Sequence, residues 1–152
     1  MIQRIQTIYL LICLIAWGFL FFNPIIGFTI QADGAGMLYA NGIREAGSGK
    51  MVLAAVPMFI LFVLVEILTL ISVLSFKRRA LQLRITVLNM ILQLLAYGII
   101  AMYTILGKNL LHADPVLLFF SSMPLLASIC SFLAFRGIRR DMLLLRALSS
   151  LR

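Results

Sequence analysis

The sequence predicts an all-α membrane protein: a four-transmembrane-helix antiparallel bundle with a C-terminal cytoplasmic amphipathic helix. Three observations carry this. The 152 residues are 63% hydrophobic and 12% charged, whereas soluble domains run at about 45–50% apolar. The apolar residues form four continuous stretches, each long enough at about 1.5 Å per residue to cross a hydrocarbon core of about 30 Å. The Lys and Arg between those stretches fall almost entirely on alternate sides. Continuous runs of this length also argue against barrel strands, which alternate and are much shorter.

The first span is expected at 5–28. Its apolar region is longer than that of a signal peptide, and no small-residue cleavage site follows promptly, so an uncleaved span is expected. The outer loop, 29–50, holds Gly34, Gly36, Gly42, Gly47 and Gly49. Alternation around Asn41-Gly42 is consistent with a small β-hairpin on the membrane surface, with a flexible connector as the alternative. Gly47-Ser48-Gly49-Lys50 resembles a phosphate loop but fails its chemistry. Arg44 stands where the first Gly is needed, and Met51 stands where a magnesium-holding Ser or Thr is needed.

The second span, 51–76, is interrupted once, by Glu66. The inner loop that follows is short, Lys77 to Arg84, so a tight hairpin should lead into the third span, 85–106. After another short outer loop comes the fourth span, 115–135. Together 1–135 make the transmembrane domain, and 136–152 a basic tail helix. On that tail Ile138, Met142 and Leu145 share an arc that Asp141 interrupts, while Arg139, Arg140 and Arg146 gather opposite. Such a helix can lie on the inner leaflet or dock on a partner.

Orientation follows from the cations. Arg4, the group Lys77, Arg78, Arg79 and Arg84, and the group Arg136, Arg139, Arg140, Arg146 and Arg152 lie on one side. Arg44, Lys50 and Lys108 lie on the other. The positive-inside rule places the first set, and both termini, in the cytoplasm of a bacterial inner membrane. A pI near 10.4 therefore speaks for anionic headgroups and not for nucleic acid.

Glu66 is the one acid inside a span. A charge at mid-bilayer costs at least about 2.5–3.5 kcal/mol, so such a residue is neutralised, paired or functional. It lies ten residues before Phe76, and Gln93 lies eight beyond Ile85, so the two share a depth and a Glu66–Gln93 hydrogen bond is expected. Asn89 sits one turn nearer the cytoplasm on the face of Gln93. Either this cluster handles a proton or cation, or a protonated Glu66 cements the helices. Cys13 and Cys130 are expected to pack as small hydrophobes, without a disulfide.

The inventory excludes several chemistries. His112 is alone, whereas a four-helix cytochrome b needs two axial His per haem. No C-x-x-C pair exists for thiol–quinone exchange, and zinc catalysis lacks ligands. No enzyme, cofactor or metal is expected.

Three segments carry a resemblance. They are the opening Met1-Ile2-Gln3-Arg4-Ile5-Gln6-Thr7, the inner loop Phe76-Lys77-Arg78-Arg79 through Arg84 to Asn89, and the ending Arg136-Gly137-Ile138-Arg139-Arg140-Asp141 with Leu151-Arg152. Together they resemble the four-span membrane family of Bacteroidota known as domain of unknown function 4293. The resemblance implies four helices in an inner membrane and carries over no catalytic or binding residue. The expected role is an accessory, scaffold or assembly partner that presents the Lys77–Arg84 loop and the tail to a larger membrane protein, or assembles with itself. The alternative is a small dimeric proton-coupled exporter or carrier using Glu66, although four-span exporters with a lone membrane Glu carry it in the first span.

Overall fold

The computed structural model describes residues 2–30 and 33–149. It is mostly helical, with four helices long and apolar enough to cross a membrane, and it adds a five-stranded antiparallel sheet.

Helix α1 runs Ile2–Phe22 and buries Gln6, Leu10, Cys13, Trp17 and Leu20, a three-and-four spacing that marks one face. It stops six residues short of the expected 28. Pro24 has no N–H to continue the ladder and disfavours a helical Asn23 before it. Asn23 instead caps the end, its Nδ2 donating to Phe19 O at 3.0 Å.

Strands β1 (Ile26–Ile30), β2 (Asp33–Tyr39), β3 (Gly42–Glu45) and β4 (Met51–Ala54) follow. Of the two expectations for this loop, the hairpin is the one present: Tyr39 pairs with Gly42 across a two-residue turn. Gly42 has φ +151, and a Cβ there would strike the backbone of Leu53 and Ala54. After β4, α2 runs Val56–Leu74 with Pro57 in its first turn, where a missing N–H costs nothing.

A 3-10 turn, Ser75–Lys77, and Arg78 alone connect α2 to α3, Arg79–Leu111. The expected inner loop is thus mostly the first turn and a half of α3. No Gly or Pro interrupts residues 79–84, so the helix simply starts early. At 33 residues α3 is about 50 Å long, well beyond a hydrocarbon core of about 30 Å. Strand β5, Asp114–Leu117, a 3-10 turn, Phe119–Ser122, and α4, Met123–Ser149, complete the chain.

The strand order is β4-β3-β2-β1-β5, so β5 from the connection between α3 and α4 pairs with β1 from that between α1 and α2. Ile26–Phe28, Met51–Ala54 and Pro115–Leu117, expected as ends of spans, are strands instead. An apolar strand and an apolar helix end look alike in sequence when only hydrophobicity is counted.

Helix α1 packs on α4 and α2, and α3 on α2 and α4. Trp17 meets Phe62 edge-on, with centroids 5.0 Å apart, and Phe21 meets Phe59 at 5.8 Å. The inner face of the sheet lays Phe28 and Ile43 over Gly107 of α3. Lipid-facing positions such as Ile15, Leu64, Leu94 and Ile129 are large, apolar and exposed, while polar side chains point inward. A hydrocarbon solvent favours that inversion.

Candidate intramembrane site

The core face of α3 reads Gln82, Thr86, Asn89, Gln93, then Ala96, Ile100, Tyr103 and Gly107, all buried. The spacing is that of one helical stripe, polar in the half next to the basic loop ends and apolar or small in the half next to the sheet. Each polar residue meets a different neighbour. Ser72 of α2 and Thr86 lie 2.9 Å apart, and Thr86 donates its hydroxyl hydrogen to Gln82 O at 2.8 Å, so Ser72 is the donor between them.

Asn89 Nδ2 donates to Thr69 Oγ1 at 2.8 Å, while Thr69 donates to Val65 O at 2.8 Å. The single Thr69 hydrogen is therefore spent, which fixes the Asn89 amide with Nδ2 toward it. Asn89 Oδ1 is left buried without a partner. Gln93 Nε2 reaches Ser131 Oγ of α4 at 3.0 Å and Cys13 Sγ of α1 at 3.4 Å, and its Oε1 is likewise buried and unpartnered. Cys13 Sγ and Ser131 Oγ are 3.2 Å apart. Cys13 is thus part of a three-helix polar junction and not the simple small hydrophobe expected; it and Cys130 are both free thiols.

The expected Glu66–Gln93 bond is absent. Glu66 sits at the right depth but the wrong angle. Phe62, Val65, Thr69 and Ser72 form the inward stripe of α2, and Glu66 lies about 100° around the helix from Val65. Its carboxyl rests against Gly18 of α1, where an added Cβ would come 3.7 Å from Oε1. Glu66 Oε2 is buried without a partner. Depth was legible from counting; azimuth was not, because α2 touches both α1 and α3.

At the basic end Gln6 Nε2 donates to Asp141 Oδ2 at 2.8 Å, and Arg79 Nη1 lies 3.8 Å from the same oxygen. Asp141 is buried. It does not spoil an exposed apolar arc as expected; it is the inward anchor of α4, one turn beyond the buried Ile138. This junction of α1, α3 and α4 was not legible, because Gln6 and Asp141 stand at opposite ends of the chain. Arg78, Arg84, Arg139 and Arg140 are exposed, whereas the side chains of Lys77 and Arg146 lie outside the described residues.

Among the described residues no three His, Cys, Asp or Glu come together as metal ligands would. The cluster is a hydrogen-bonded lock between four helices, with unpartnered oxygens of Asn89 and Gln93 set into it and that of Glu66 apart from it, on the side of α1. No curated protein and no solved structure matches the chain. Residues 2–151 match the family described as Domain of unknown function (DUF4293), and the chain belongs to that family.

Proposed function

We propose that this protein is a non-enzymatic accessory or assembly factor of the bacterial inner membrane. Its four helices form an antiparallel bundle with both termini in the cytoplasm, and the end of α4 continues as a basic cytoplasmic helix. Arg78, Arg84, Arg139 and Arg140 meet anionic headgroups, and the outer sheet meets the partner, a larger membrane protein or another copy. One observation carries this reading: β5 closes the sheet against β1, so both outer connections are tied into a single rigid platform whose edge strands β4 and β5 each have one neighbour only. Edge strands with free backbone groups are where another chain adds. Most core polar groups meanwhile satisfy one another, which suits a holder better than a machine.

Affinity purification of the tagged protein from native membranes tests it. A stoichiometric partner should be recovered, and Val52→Lys, which places a charge on the β4 edge, should release it without unfolding the protein. Recovery of monomeric protein alone would sink the proposal.

A second reading keeps Glu66 as a proton-handling carboxyl, favoured by its buried, unpartnered Oε2. Reconstituted vesicles bearing a pH gradient should then take up or release protons in a way that Glu66→Gln abolishes. Equal fluxes in both forms would end that reading.

A further inference from the structure

On the face of the sheet turned away from the helices, the register sets Arg44 opposite Met37, and Tyr39, two residues along, shares that face. The Arg44 guanidinium carbon stands 5.3 Å from the centre of the Tyr39 ring, within the range where a cation is held over an aromatic face. Arg44 Nε is buried and has no hydrogen-bond partner. Among the described residues Lys108 is paired with Asp114 at 2.9 Å, whereas Arg44 forms no ion pair.

Around Arg44 is a cleft of about 390 Å³, lined by Met37, Tyr39, Glu45 and the β3–β4 turn. Gly47 and Gly49 form that turn at φ +89 and +64, and no atom lies within 4 Å of where their Cβ would be, so nothing blocks access from that side. Glu45 stands at the rim, its Oε2 accepting from Ser48 Oγ at 2.7 Å.

We propose that this cleft binds a phosphate ester. A guanidinium held over a ring presents a fork of N–H donors that matches phosphate oxygens, and its Nε–H has no acceptor within the protein. Glu45 repels a bare anion, so the ester should carry a hydroxyl or ammonium donor on its other end for the carboxylate to accept. This is the chemistry of a phospholipid headgroup and of its free, water-soluble counterpart. The site is no phosphate loop: strand β4, and not a helix, follows the glycines. It is independent of the assembly role proposed above.

The test uses the full chain in a maltoside micelle, which contains no phosphate, with arginine labelled at Nε. Arg44→Lys identifies the Arg44 Nε–H resonance by its disappearance. Free phosphoethanolamine is titrated in one arm and a short-chain phosphatidylethanolamine in the other. The expected result is a saturable shift of that resonance in the unsubstituted protein. Saturation in both arms identifies a soluble ester as sufficient; saturation with the lipid alone assigns the site to headgroups. Phosphorus line broadening of the bound probe should weaken at least about tenfold in Arg44→Lys, because an ammonium keeps the charge but loses the fork. A shift that stays linear or absent in both arms overturns the proposal, as does broadening that Arg44→Lys leaves unchanged. The primary reading is taken on the unsubstituted protein, so a poorly folded variant does not blunt it.

Discussion

Gly107 on α3 stands where the sheet comes closest to a helix, and the ring of Phe28 and the tip of Ile43 occupy the space its side chain would need. Gly107→Val should overpack this contact and destabilise by about 1–3 kcal/mol, read as a lowered unfolding midpoint in micelles. Gly98, on the same helix with nothing within 4 Å of its Cβ position, should accept Ala with no loss. Asp141 makes the converse point at the basic end. Asp141→Ala removes the acceptor of Gln6 and strands a buried amide, at about 1–3 kcal/mol, whereas Arg139→Ala on the exposed side should stay within about 0.5 kcal/mol. Thermal unfolding of the pair of variants separates the two. The polar residue types at the core were all visible in the sequence, as was the depth of Glu66. The angle at which each meets its neighbour depends on which two helices flank α2, and residue counting carries no information on that.

At the scale of elements, the helix ends are where reading and structure diverge, and each divergence has a local cause. Pro24 ends α1 early, and Pro57 starts α2 after β4 has used the apolar run Met51–Ala54. The run 115–135 likewise divides into β5, a turn and α4. The turn is stapled by Ser121, whose hydroxyl donates to Ile25 O and accepts from Leu118 N at 3.1 Å. Ser121→Ala should loosen the junction of β5 with the start of β1 by about 1–3 kcal/mol. Hydrogen exchange should show the gain in β1 and β5 amides and leave those of α2 unchanged. The hairpin at Asn41 was legible because a short-range turn signal brackets alternating residues. The pairing of β1 with β5 was not, because three strands and the whole of α2 and α3 separate them along the chain.

For the whole molecule, four apolar helices and the family were legible throughout, since length and hydropathy dominate both. The cations at the junctions give the molecule a direction. A phosphatase reporter, active only in the periplasm, should be silent when fused after Arg152 and active when inserted at Gly47 in the β3–β4 turn. The reverse pattern would invert every assignment of inner and outer surface made above. The polar half of the helical core would then lie near the periplasm, and Arg44 would face the cytosol.

The length of α3 has one more effect. A rigid rod some 20 Å longer than the oily slab it crosses, with a sheet fastened near one tip, fixes a standoff between that sheet and the lipid. A bilayer that thickens should bring the surface closer to the sheet, and one that thins should leave the sheet standing further off.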